Sequence, residues 1–305
     1  MTNKLLFLIL ILSSLVQIEA KPRIIVTSSP IDAIISEITG NEAEIVTLVS
    51  PGSSPHTYSP KPSQVSKSEK ADVLFYVSDY LDGWAANLNT KKKIKIIDLL
   101  QKKYQLPFSD EDEHQHGHNS HNDKNEKKAK HKKSSQQVID PHFWTDPICV
   151  KSIVDTLTNI LINISPEKEK QYKSNSKLFI AKLEDLHKEI AQKMKNFKDE
   201  NIFLFHPSFR YFLKRYELTY AGSIEPSPGK EPSADFILKL VKKIKSQKAK
   251  ALYTEPQLPV GPAKTIAEAA SLKLYTLDPI GGVEGRKNYF DLMRYNTNTF
   301  IKSLK

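Results

Sequence analysis

Nine histidines are the chain's main resource for chemistry, and they fall into two groups. Five of them, His114, His116, His118, His121 and His131, crowd into one polar tract. The others are His56, His142, His187 and His206, and three of these share a position type. His56 lies in SSPHTYSP (53–60), after a β-rich run and before a helical one. His142 lies in DPHFWTDP (140–147), ahead of a helix starting near Asp146. His206 lies in FLFHPSF (203–209), at the C-terminal end of a strand. Asp278 in TLDPIGG (276–282) ends the last strand, and Glu255 in YTEPQ (253–257) ends the one before it. Pro55, Pro141, Pro207 and Pro279 flank the three histidines and Asp278, stiffening the backbone there. Three imidazoles with one carboxylate suit Zn²⁺ in four-coordinate geometry, with nitrogens at about 2.0–2.1 Å. Mn²⁺ calls for more oxygen ligands. A lone histidine after a strand is more often a packing or surface residue; three in equivalent positions are what argues for a site. His187, beside Leu186 in a charged helical stretch, reads as structural, as does Cys149, a small buried residue on the helix after Asp146. Trp84 and Trp144 read as core or cleft-wall residues.

Two blocks of alternating strands and helices must position these groups. In the first, strands are expected at 23–28, 44–50, 72–78 and 93–99, with helices at 30–39, 62–71 and 80–89. In the second, strands are expected at 201–205, 219–224, 251–254 and 273–277, with helices at 208–216, 233–249, 262–270 and 288–304. Such alternation implies βαβ units and parallel sheets covered on both faces. The fold class is therefore α/β: two similar four-stranded parallel-sheet lobes. Between them, 166–198 lacks glycine and internal proline, and Ile180, Leu183, Leu186, Ile190, Met194 and Phe197 recur at three-four spacing. That predicts one long rigid helix, spanning ~45 Å, as a spine joining the lobes. The expected domains are an N-terminal lobe over 21–164, a linker helix over 165–198 and a C-terminal lobe over 199–305. Ligands in doubly wound sheets bind outside the carboxyl ends of strands. His56 and His142 from the first lobe, with His206 and Asp278 from the second, are thus expected to converge in the cleft between the lobes.

The tract within 107–137 is different in kind. Residues 110–133 hold six acids and six lysines, so they are neutral apart from the histidines and nearly free of apolar side chains. Such a segment cannot bury a core and is expected to be a disordered insert in the first lobe. Its five histidines beside carboxylates suit weak, exchangeable metal capture, because ordering the loop costs entropy.

Composition narrows the function class. With 305 residues, 26% charged and 39% hydrophobic, the chain is neither a polytopic membrane protein nor wholesale disordered. One cysteine leaves no disulfide framework and no multi-cysteine metal site. The net charge of +10 is spread along the chain without an aromatic-interleaved basic motif, so no nucleic-acid partner is expected. Lys4, the apolar run Leu5–Leu15 and the small residue Ala20 read as a signal peptide over residues 1–20, with no cysteine nearby for a lipid anchor. A soluble periplasmic protein, monomeric, is the expectation.

Taken together, PGSSPHTYSPKPSQ (51–64), the acidic histidine-rich insert, DPHFWTDP, FHPSFRYFLKRY (205–216), YTEPQ and LDPIGG resemble the metal-binding solute-binding proteins of ABC importers, specifically the zinc-uptake type. The resemblance covers essentially the whole mature chain. It implies two α/β lobes on one long helix, ligand roles for His56, His142 and His206, and either Asp278 or water as the fourth ligand. Manganese-type relatives carry Glu at the third position, so His206 implies zinc. The resemblance further implies a binding protein rather than an enzyme: it captures Zn²⁺ and delivers it to a membrane permease driven by a cytoplasmic ATPase. The rivals are a manganese or iron component or adhesin of the same fold, and an exported zinc hydrolase. The hydrolase reading lacks an HExxH motif and has only Glu255 as a candidate base. Because imidazole must be neutral to ligate, metal affinity is expected to fall as pH drops through 6–7.

Overall fold

The structure, a computed structural model, describes residues 20–108, 137–225, 229 and 232–305. The expected signal segment up to residue 19 lies outside the described residues, as do the five histidines of the insert.

Two four-stranded, all-parallel sheets form the frame. The first comprises β1 (Arg23–Val26), β2 (Glu44–Thr47), β3 (Val73–Tyr76) and β4 (Lys93–Lys95) in the order β2-β1-β3-β4. The second comprises β5 (Asn201–Leu204), β6 (Thr219–Ser223), β7 (Ala251–Thr254) and β8 (Lys273–Thr276) in the order β6-β5-β7-β8. The two orders are equivalent, so one architecture is used twice. Central strands β3 and β7 are buried at every position, as expected for sheets covered on both faces.

Helices follow the sequence punctuation. The first, α1 (Ser29–Thr39), carries Pro30 in its first turn and buries Ile31, Ile34, Ile35 and Ile38 on one stripe. It stops at Gly40, whose φ of 56° lies in the left-handed region that glycine enters without a Cβ clash. Short helices α2 (Pro62–Ser68) and α3 (Asp79–Asp82) complete the first lobe's crossovers. Helix α4 (Pro147–Ile164) is long and apolar enough to cross a membrane by length and composition. Its stripe of Val150, Ile153, Val154, Leu157 and Leu161 is instead buried in the core.

The spine is α5 (Glu169–Met194), with a 3₁₀ turn at each end, Pro166–Lys168 and Lys195–Phe197. Its buried residues are Tyr172, Ser176, Phe179, Leu183, Leu186, Ile190 and Met194, a strict three-four stripe. Phe179 takes the place expected for Ile180, which is only partly buried, as is Phe197. In the second lobe, α6 (Arg210–Arg215), α7 (Ala234–Ser246) and α8 (Val260–Ala270) connect the strands, and α9 (Tyr289–Leu304) closes the chain against the spine. The largest cluster of buried apolar side chains draws on both sheets, the spine and α9, so the lobes share one core.

Two expected elements change form. The strand expected over 93–99 ends at Lys95 and becomes a 3₁₀ turn, Ile96–Leu99. Ile96 and Ile97 are both buried in this turn, and Ile97 N–H donates to the carbonyl of Val77. The helix expected over 80–89 is α3 followed by a 3₁₀ turn, Gly83–Asn87. At the junction the Asp82 carboxylate turns back to accept the N–H groups of Val77 and Ser78 and the hydroxyl of Thr27.

The insert leaves and rejoins the first lobe at one point. Pro107 and Ile139 form an antiparallel bridge, with Phe108 N–H bonded to Val138 C=O and Asp140 N–H to Leu106 C=O.

Candidate metal centre

His56 stands in the 3₁₀ turn Pro55–Thr57 that follows β2. Trp84 Nε1–H donates to the carbonyl of Pro55 at 3.3 Å, and the Tyr58 hydroxyl donates to the carbonyl of Leu48 at 2.9 Å. His142 caps the 3₁₀ turn Phe143–Thr145 just before α4. His206 sits two residues beyond β5, and Glu255 immediately follows β7. Strands β5 and β7 are neighbours whose connections leave in opposite directions, the switch point at which doubly wound sheets bind ligands.

The three imidazoles meet. Their donor nitrogens all lie within 4.8 Å of one another, a grouping that among the described residues consists of His56, His142 and His206. Nε2 of His142 lies 3.3 Å from Nε2 of His56 and 3.2 Å from Nε2 of His206. Two nitrogens bound to one tetrahedral zinc at the usual bond length are separated by about 3.3 Å. His142 and His206 are buried, and His56 is half-buried.

The opposite ring nitrogens are already committed. His142 Nδ1 lies 2.8 Å from Asp140 Oδ1, which also accepts the His142 backbone N–H at 3.0 Å. His206 Nδ1 lies 2.8 Å from Glu255 Oε1, which also accepts the Ser208 hydroxyl at 2.7 Å. An ionised carboxylate can only accept, so each Nδ1 donates, and in the neutral ring each Nε2 then carries the lone pair. Two lone pairs facing each other at 3.2 Å repel unless a cation lies between them. The carboxylate–histidine pairing is the arrangement that orients metal-bound imidazoles and raises their basicity.

Burial reinforces this donor state. It holds the pKa of His56 well below the ordinary histidine value, with the charges of His206 and His142 adding to the effect. Burial also lowers the pKa of His142, against the opposing pull of Asp140. Acid therefore protonates His56 and His142 at lower pH than an ordinary imidazole.

Asp278, expected with water as the alternative for the fourth ligand, is not in this group of three. Its Oδ1 accepts from Gln257 Nε2 and from the N–H groups of Ile280 and Gly281, and its Oδ2 pairs with Arg286 Nε at 2.8 Å. The carboxylate organises the loop after β8. In that loop Gly282, at φ 78°, approaches α1 so closely that a Cβ would lie 2.4 Å from Ser29 Oγ. His187 stands apart on the spine, its Nδ1 3.4 Å from the Tyr216 hydroxyl, and Cys149 is buried as expected. Trp144 is buried with its ring beside that of His142, and Trp84 supports the His56 turn. Sequence reasoning did not assign Asp140 a role, although its place two residues before His142 carries a signal for a carboxylate–imidazole contact. Glu255 was legible as a strand-end residue but not as the partner of His206.

Comparison with known proteins gives a consistent picture. Residues 24–303 match the family described as ZnuA, zinc-uptake complex component A, periplasmic. The high-affinity zinc uptake system protein ZnuA of Brucella abortus is 30% identical over 299 residues, covering 90% of each chain. The zinc-binding protein AdcA of Streptococcus pyogenes serotype M3 is 26% identical over 286 residues; the match covers 92% of this chain but 56% of that protein's length. Among solved structures, a crystal structure of ZnuA matches with a TM-score of 0.77 at 26% identity, covering 94% of this chain and all of that one. The periplasmic zinc-binding protein TroA of Treponema pallidum, at 17% identity and a TM-score of 0.76, covers 93% of this chain and 99% of its own and shares the fold.

Proposed function

The chain belongs to the ZnuA family of periplasmic zinc-uptake components, and from that premise we propose that it binds Zn²⁺ through His56, His142 and His206 and hands it to a membrane permease driven by an ATPase. The observation carrying this reading is the pair of Nε2 atoms, 3.2 Å apart, on imidazoles whose other nitrogens are tied to Asp140 and Glu255. Zinc is the cargo. The three imidazole nitrogens form its seat and a fourth position stays open to solvent or to a ligand supplied at transfer. An all-nitrogen protein donor set favours Zn²⁺ over Mn²⁺, which prefers oxygen. The names of the curated relatives, a zinc-binding protein and a zinc uptake system protein, support the same cargo.

Each group has one task. Asp140 and Glu255 hold the tautomers, burial disfavours protonation of His56 and His142, and the shared core holds the lobes so that release requires an external push on the cleft. The protein works outside the cytoplasmic membrane as a single chain. The hydrolase reading finds no support at Glu255, the one candidate base, because Oε1 already serves His206 and Ser208.

Titration with zinc against a competing chelator tests the reading. One tightly held Zn²⁺ per chain, lost in His206→Ala, is the expected result; wild-type protein that takes up no zinc would refute it.

A further inference from the structure

The short segment 140–146, which carries His142, is gripped at both ends by side chains that follow the spine in sequence. At one end the buried Tyr211 hydroxyl donates to the carbonyl of Asp140 at 3.0 Å and accepts the N–H of Leu106 at 3.0 Å. Beside it, Arg210 Nη2 donates to the carbonyl of Pro107 at 3.0 Å. At the other end the fully buried Tyr289 hydroxyl donates to the carbonyl of Trp144 at 2.7 Å, while Trp144 Nε1–H donates to the carbonyl of Pro279 at 2.8 Å. Arg215 Nε meets Asp146 Oδ2 at 2.8 Å just beyond. The turn bearing His56 is fastened differently, by Trp84 and Tyr58 of the first lobe.

We infer that Tyr211 and Tyr289 are positioning residues that fasten the Asp140–His142–Trp144 segment to the second lobe, making His142 and His206 one rigid half-site to which the first lobe contributes His56 alone. Tyr211 acts on the carbonyl of the same residue whose carboxylate holds His142 Nδ1, so it sets the ring's aim without touching the cation. Tyr289 fixes the residue two places downstream, which prevents the segment from pivoting. Sequence order assigns His142 to the first lobe, but the carbonyls of Asp140 and Trp144 on either side of it are held by second-lobe hydroxyls. When the cleft opens, the break falls between His56 and the His142–His206 pair, and one ligand is withdrawn before the other two.

The inference rests on the zinc-site reading above, so its test needs a readout independent of metal. In ¹⁵N-labelled, metal-free protein, the Nδ1–H resonances of His142 and His206 report the bonds to Asp140 and Glu255 separately. In Tyr211→Phe and in Tyr289→Phe the His142 resonance should move while that of His206 holds. Zinc affinity should fall about ten- to a hundredfold in each, the usual effect of disturbing the groups behind a metal ligand. Adding Asp140→Asn to Tyr211→Phe should weaken binding no further than Asp140→Asn alone, since both act on one imidazole. An unmoved His142 resonance, equal movement of both resonances, or additive losses would overturn the inference. The two variants remove different bonds, so one that fails to fold leaves the other to decide. Wild-type protein that binds no zinc would refute the zinc-site reading but leave the resonance test standing.

Discussion

Asp140 Oδ1 accepts two bonds from His142, one from the ring and one from the backbone, and thereby fixes the side chain's rotamer along with its tautomer. Glu255 does the corresponding work for His206 and is itself steadied by Ser208. Asp140→Asn and Glu255→Gln should each weaken zinc binding by roughly ten- to a hundredfold while preserving the stoichiometry, as chelator competition would register. Asp278→Asn should leave zinc affinity within a factor of about three, yet lower stability by ~1–3 kcal/mol in urea unfolding, because Arg286 loses its charged partner while the loop N–H groups keep an acceptor. The depressed His56 and His142 pKa values give the metal-free protein a definite pH response. The unfolded chain binds protons on these rings near pH 6.5, whereas the folded chain does so only at lower pH, so stability is full above that value and declines as pH falls below it. Denaturation midpoints between pH 7.5 and 5 would reveal the trend, and zinc affinity should begin its steep decline in the same lower window. The three histidines were legible from their shared position type. A strand-end carboxylate carries the same signal whether it meets a cation or a guanidinium, and Asp278 meets Arg286. The Glu255–His206 pair spans 49 residues and depends on β5 lying beside β7, which linear spacing does not reveal.

At the level of elements, the switch point of the first sheet holds a buried carboxylate in place of a ligand. Asp82, bonded to Thr27, Val77 and Ser78, has its pKa pushed up to about 6 by burial. A raised carboxylate pKa means the folded state favours the protonated form, so the charge weakens the fold above that pH by on the order of 3 kcal/mol. Asp82→Asn, which keeps an acceptor for the N–H groups, should raise stability at pH 7.5, with the gain shrinking toward pH 5 in paired urea titrations. On the spine, Phe179→Ala should cost about 3–5 kcal/mol, more than the same change at the partly buried Ile180. Hydrophobic alternation located every strand and the spine, because local pattern fixes those. It did not place the end of β4 or the break after α3, where tertiary bonds from Val77 and Asp82 decide the backbone. Nor did spacing alone separate Phe179 from Ile180, since adjacent residues on a helix differ in facing by about 100° and either fits a loose three-four rule.

Across the whole molecule, two equivalent sheets, a spine and a core shared between lobes describe a body that resists wide hinge motion. Removing zinc should therefore produce only small lobe tilts and loop shifts, and scattering profiles of metal-free and zinc-loaded protein should give nearly equal radii of gyration. Zinc at a thousandfold excess over its dissociation constant should stabilise the folded chain by about 4 kcal/mol, seen as a rise in Tm. The two-lobe plan was legible from the repeated strand–helix alternation. The docking of segment 140–146 was not, because Tyr211 and Tyr289 reach it across 71 and 145 residues. The central claim is that three imidazoles share one zinc ion. X-ray absorption at the zinc edge on protein purified without chelator addresses it directly: the account predicts one Zn²⁺ per chain with three imidazole nitrogens in its first coordination sphere, and zinc-free protein, or zinc bound without histidine, would contradict it.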